Sequence, residues 1–202
     1  RPDLKAFENR TVAQSTKIYD RTGTVLLYDV NADIKRTVVS LSDISPYIQK
    51  STVAIEDSDF YTHFGIRPAA ILRAALNDIL SGGANQGGSL LTQDKTISRK
   101  IKEWVLAIKL ERIMTKDKIL ETYLNETPYG GTVYGVEEAS QTFFGKPAKD
   151  ISLAQAAYVA AVPQAPTYYS PYGIHREALN TRQKLVLDRM KELGLISASE
   201  YF

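Results

Sequence analysis

The run Ser152-Leu-Ala-Gln-Ala-Ala-Tyr-Val-Ala-Ala-Val162 constrains the fold more than any other stretch of this chain. Ser152 and Gln155 have the spacing of a capping box, which opens a helix over 154–162. That helix is alanine-rich and apolar on every side, so it belongs at the buried centre of a helical body. The flanking sequence supplies helices to bury it. Ser45-Pro46 offers an N-cap and a first-turn proline for a helix reaching about Asp57. Arg67-Pro68 starts another to Leu80, stopped by Ser81-Gly82-Gly83. Further helices are predicted over 99–111 and over 116–124, the second breaking at Asn125 and Pro128-Tyr-Gly-Gly131. Two more run over 135–144, ended by Gly145, and over 176–193, stopped by Gly194, and a new one opens near Glu200.

The N-terminal part reads differently. Residues 1–13 are polar and aperiodic. Ser15–Asp20 and Thr24–Asp29 are β-rich runs around Arg21-Thr-Gly23, a hairpin signal, and Lys35–Leu41 offers a third short strand. We therefore divide the chain into a linker with a small β-element, 1–44, and a helical domain, 45–202. At 202 residues it can bury one core, or one core split between two lobes. A net charge of +2 does not argue for nucleic acid. With no cysteine and two histidines, disulfides and thiolate metal sites are excluded and a histidine zinc site is disfavoured. No apolar run approaches the 18 residues of a membrane span. The abrupt start at Arg1-Pro-Asp and the stop inside a new helix read as a piece of a longer protein, whose flanks have room for an anchor or a further domain.

Two acids, an aromatic and a histidine crowd the segment Glu56-Asp-Ser-Asp-Phe60-Tyr-Thr-His63. If the helix runs through Glu56, Phe60 falls one turn on at i+4. An apolar neighbour offers that carboxylate a route to the raised pKa that a general base needs. The same pattern also fits an acidic helix turn with a structural histidine. Glycosyl chemistry commonly uses two carboxylates, and Glu103 is the second candidate, beside Trp104 and at i+4 from Arg99. On spacing alone an ordinary surface pair with Arg99 is the better account of Glu103. Lys95, Arg99, Lys100, Lys102 and Lys109 form a basic cluster suited to pyrophosphate, or a solvated helix face. Gln86-Gly-Gly-Ser89 lacks the lysine of a nucleotide-binding loop.

Taken together, several motifs resemble the peptidoglycan glycosyltransferase (transglycosylase) domain of bacterial class A penicillin-binding proteins. They are Glu56-Asp-x-x-Phe-x-x-His-x-Gly65, Gly87-Gly-Ser89, Arg99-Lys-x-x-Glu103 with Leu110-Glu111, Ile119-Leu-Glu-x-Tyr-Leu-Asn125, Tyr134-Gly135, and Pro163-Gln-Ala-Pro166 leading to Arg182. The resemblance covers nearly the whole chain in family order. It implies a mainly α, lysozyme-like two-lobed fold with a small N-terminal β-hairpin or sheet. It also implies polymerisation of lipid II into β-1,4 glycan strands, with inversion at C1 and release of undecaprenyl pyrophosphate. By position, Glu56 matches the general base and Glu103 the glutamate that organises the pyrophosphate, directly or through a divalent cation, magnesium or manganese. Arg99, Lys100 and Arg182 match basic residues around that group. Asp57, Phe60 and His63 match residues that shape the surroundings of the base, and Gly88, Ser89 and Asn125 fall at substrate-binding positions. The expected partners are lipid II, the growing glycan, the membrane surface, moenomycin-type inhibitors and a C-terminal transpeptidase domain. The expected location is the extracytoplasmic face of the bacterial cell membrane, through an N-terminal anchor. No organic cofactor is implied.

One departure stands out. In relatives the Gly-Gly-Ser motif continues Thr-Ile-Thr-Gln-Gln, whereas here Leu90 comes directly after Ser89. About ten residues are missing, including paired glutamines and a phosphate-binding lysine. We read them as a mobile loop of the natural protein that this sequence lacks; a true deletion would cripple donor binding. The alternatives to a polymerase are a lysozyme-like muramidase or lytic transglycosylase, and a catalytically inert lipid II-binding module.

Overall fold

In a computed structural model, the protein is described at residues 16–24, 26–30, 34–62 and 112–201. These residues fall into two compact units. One is formed by residues up to Ser58 with those from Asp117 onward, the other by Asp59–Lys116.

The first unit opens with an antiparallel hairpin, β1 (Thr16–Tyr19) and β2 (Leu26–Val30), where the sequence predicts one. Its turn is closed by the Gly23 amide donating to the Asp20 carbonyl at 3.0 Å, with Gly23 at φ 72°. The Asp20 carboxylate also accepts from the Thr24 amide and the Thr22 hydroxyl, so the turn is tied by its own side chains.

The third strand expected at 35–41 does not form. Only Lys35 pairs, in a parallel bridge with Val133, and Leu41–Asp43 closes into a 3-10 turn. The cause lies in α2 (Lys116–Glu126), whose side chains take the backbone groups a neighbouring strand would need. Asn125 accepts from the Val39 amide at 2.9 Å and donates to the Val39 carbonyl at 2.9 Å. Glu121 accepts from the Leu41 amide at 2.9 Å. A side chain that satisfies both polar groups of one residue removes the need for a ladder there.

Helix α1 (Pro46–Glu56) comes next, and it begins as its sequence dictates. The Ser45 hydroxyl accepts from the Tyr47 amide at 3.3 Å and donates to the Ile151 carbonyl at 3.0 Å, which caps the helix and seats its start. The α1 face carrying Ile48, Ser51, Thr52 and Ala54 is buried. After α2 comes a short hairpin, β3 (Pro128–Gly130) and β4 (Val133–Tyr134), then α3 (Val136–Phe144). Helix α4 (Leu153–Ala161) has both bonds of the capping box, and Ala156, Ala157, Val159, Ala160 and Ala161 are buried. It packs against both α1 and α5 (Arg176–Glu192), and those two also meet. A last short helix, α6 (Ala198–Tyr201), occupies the end of the described chain. Among the described residues no helix is long and apolar enough to cross a membrane.

Gly135 enforces one close approach. Its φ is 80°, and a Cβ there would sit 2.7 Å from the Asn125 carbonyl oxygen, at the end of α2. Gly135→Ala is expected to cost on the order of 2–4 kcal/mol, from the left-handed backbone and the displaced carbonyl, read as a lowered urea midpoint. A second prediction concerns Glu121. Burial works against its charge, but hydrogen bonds from the Lys118 ammonium and the Leu41 amide, with the attraction of Lys118, hold its pKa below the ordinary value. A depressed folded-state pKa stabilises the fold above the unfolded value and loses that contribution as pH falls through the folded one. The urea midpoint should therefore drop more steeply below about pH 4.5 in the wild type than in Glu121→Gln.

Candidate active site

The site is built from the C-terminal end of α1. The Asp57 amide donates to the Val53 carbonyl at 3.0 Å, the last helical bond, and the Asp57 backbone then leaves the helix at φ −156°, ψ 86°. Glu56 is thus the final helical residue, and its side chain is exposed. Two phenols lie within electrostatic reach of its carboxylate. Burial pushes up the pKa of Tyr123, on α2, and the negative charge of Glu56 adds to the shift. Tyr129, on β3, is raised further by complete burial, then by Tyr123 and Glu56. With their pKa values raised above the ordinary tyrosine value, both phenols stay protonated at neutral pH. Such an arrangement can present one carboxylate to a proton-bearing substrate group.

The expectation that Phe60 lies at i+4 on the same helix is corrected, because the helix has ended four residues earlier. Phe60 instead belongs to a turn in the second unit, in which the Thr62 amide and hydroxyl both donate to the Asp59 carbonyl at 2.8 and 2.9 Å. Within that unit the Lys116 ammonium lies 4.6 Å from the centre of the Phe60 ring, and Tyr61 meets the ring edge-on at 5.1 Å.

The helix end expected at Asn125 is also corrected. The helix runs past it to Glu126, and the side chain is buried with its amide committed to Val39 and to the Glu121 carbonyl at 2.8 Å. Arg182, on α5, donates from Nε to the Ala161 carbonyl at 3.0 Å, and its guanidinium lies 5.6 Å from the centre of the Tyr169 ring. His63, Gly88, Ser89, Arg99, Lys100 and Glu103 lie outside the described residues, as does the Ser89–Leu90 junction. Among the described residues no group of three or more acidic or histidine side chains could hold a metal ion.

Sequence reasoning passed over several residues that matter here. Glu138 is buried in α3 and accepts from both Lys17 and Thr37, anchoring the N-terminal hairpin to the helical body. Its neighbour Glu137, also buried, accepts from the Ala148 amide at 2.7 Å. Two glutamates in a helix's first turn ordinarily read as exposed partners of the helix dipole, so no sequence signal marked them. Tyr123 does sit inside the Ile119–Asn125 motif, which was a usable signal. Arg189 lies seven residues after Arg182 on one stripe of α5 and reaches the Ser58 hydroxyl with Nη2 at 3.5 Å.

A family model described as "Transglycosylase" matches residues 23–191. Penicillin-binding protein 1A of Aquifex aeolicus is 43% identical over 210 residues, covering 99% of this chain and 28% of the relative. Penicillin-binding protein 1F of Bacillus subtilis is 40% identical, covering 92% of this chain and 27% of its own length. The chain therefore spans a little over a quarter of these relatives. The crystal structure of penicillin-binding protein 1A from Haemophilus influenzae shares the fold with a TM-score of 0.55 and 25% identity, over 95% of this chain and 20% of that one. The mainly helical, lysozyme-like class with its small antiparallel sheet agrees with that neighbour. With a matching family model over most of its length and relatives at 40% identity and above, the chain belongs to the transglycosylase family, the peptidoglycan glycosyltransferases of class A penicillin-binding proteins.

Proposed function

We propose that this domain polymerises lipid II at the extracytoplasmic face of the bacterial cell membrane, with Glu56 as the general base. The observation that carries the reading is the place of Glu56, an exposed carboxylate ending α1 within electrostatic reach of Tyr123 and Tyr129. The Glu56 carboxylate takes the proton of the acceptor's sugar 4-hydroxyl as that oxygen attacks C1 of the growing chain. A new C1–O bond forms, the bond from C1 to the pyrophosphate oxygen breaks, and undecaprenyl pyrophosphate leaves with the electron pair. Attack from the opposite face inverts C1 and gives the β-1,4 linkage.

The leaving pyrophosphate needs cationic support. We assign this to Arg99, Lys100 and Arg182, the last with its guanidinium oriented by the Ala161 carbonyl and Tyr169. Glu103 organises the same group, and a magnesium or manganese ion bound there would neutralise its charge. Asp57, Phe60 and His63 shape the surroundings of the base, and Gly88 and Ser89 begin the donor-binding loop. The roughly ten residues missing after Ser89 complete that loop in the natural protein. Membrane attachment, moenomycin-type inhibition and a C-terminal transpeptidase domain belong to the same proposal.

Glu56→Gln keeps the shape and removes the base. Polymerisation should fall by at least about 10²-fold, while the melting temperature and moenomycin binding stay close to wild type. Turnover retained at the wild-type rate would take Glu56 out of the base role.

A further inference from the structure

We infer that Arg189 is a positioning residue for Glu56, holding the turn through which the chain leaves α1. The inference rests on the base role proposed for Glu56. Three observations carry it. First, Glu56 is the last helical residue and is exposed, so core packing does not fix its direction. The turn at Asp57 and Ser58 must fix it instead, because a helix terminus without tertiary ties frays. Second, Arg189 reaches that turn from another helix: its Nη2 donates to the Ser58 hydroxyl at 3.5 Å, across 131 residues of sequence. Third, the reach is prepared. The Nη1 of the same guanidinium donates to Glu192 at 3.0 Å, one turn on along α5, and a planar fork held at one arm points the other in a set direction.

Two features of α5 make the tie stiff. Val186 and Met190, beside Arg189 on the helix, are fully buried, so the base of the side chain is fixed in the core. Arg182, seven residues earlier, ties the same stripe to the end of α4 through Ala161. In addition, the guanidinium stands near the C-terminal end of α1, where the unpaired carbonyls carry partial negative charge that a cation offsets. Arg189 is itself half-exposed, and its loss opens no cavity in the core. Its removal should therefore loosen the aim of Glu56 without unfolding the domain. A misaimed base slows the chemical step and leaves substrate binding alone.

The test uses the full-length protein with lipid II in detergent micelles, comparing Arg189→Ala, Ser58→Ala and the double variant. Arg189→Ala is expected to lower kcat on the order of tenfold, with KM within about twofold and the melting temperature within a few degrees. Ser58→Ala should show a smaller loss, and the double variant should be no slower than Arg189→Ala, because both remove one contact. Wild-type kcat in Arg189→Ala, a loss confined to KM, or losses that multiply in the double variant would overturn the inference. Should Arg189→Ala fail to fold, Ser58→Ala decides alone, and unchanged kcat there overturns it. If the wild type itself makes no polymer, the polymerase reading has failed; if it does and Arg189→Ala matches it, only the positioning role has.

Discussion

The structure depends on how closely α1 can approach α4. Helix α4 offers mostly methyl groups, from Ala156, Ala157, Ala160 and Ala161, and all four are buried. Across from them α1 presents Ser51, whose hydroxyl donates to the Ala156 carbonyl at 3.3 Å and to its own Ile48 carbonyl at 3.0 Å. A side-chain hydroxyl can reach the neighbouring helix's backbone only where small residues let the two axes draw together. Ile48, Val159, Val186 and Leu179 then close the core around that contact. A larger residue at Ala156 or Ala160 would push α1 outward and carry its C-terminal end with it. The position of Glu56 is thus a consequence of alanines far away in the sequence.

Helix α2 does comparable work for the segment leading into α1. Asn125 and Glu121 hold Val39 and Leu41 by their backbones, while Ser45 is seated on the Ala148 and Ile151 carbonyls. Glu138 fixes Lys17 and Thr37 from α3. Buried polar groups of this kind contribute modestly when satisfied but are costly to leave unpaired, so they select one path for the chain. Because Gly135 must pass within contact of the Asn125 carbonyl, the turn into α3 and the end of α2 are fixed by one another. A single constraint network therefore runs from the N-terminal hairpin to the start of α1.

Much of this could be read from the sequence where the signal was local. The Ser45-Pro46 start, the Ser152–Gln155 capping box, the glycine stops at Gly145 and Gly194 and the Gly23 hairpin turn all formed as their residue types require. What escaped was non-local. The β-rich run at 35–41 has strand propensity, yet Asn125 and Glu121, 86 and 80 residues away, take its backbone groups. The hairpin of β3 and β4 is too short to show alternation, and buried Glu137 and Glu138 look like surface acids. At the site, Glu56 stood out by its neighbours in sequence. Tyr129 and Arg189 did not, because their relation to the end of α1 exists only after α1, α2 and α5 have packed.

A polymerase of this kind lengthens glycan strands by transfer from a lipid pyrophosphate. The most direct measurement is the product formed by the full-length wild-type protein from purified lipid II, resolved by size, with undecaprenyl pyrophosphate quantified alongside. Strands should grow with time, with one undecaprenyl pyrophosphate released per linkage formed. Shortening of preformed glycan would indicate a hydrolase or lytic transglycosylase, and lipid II bound but unchanged an inert binding module; either result would contradict polymerisation.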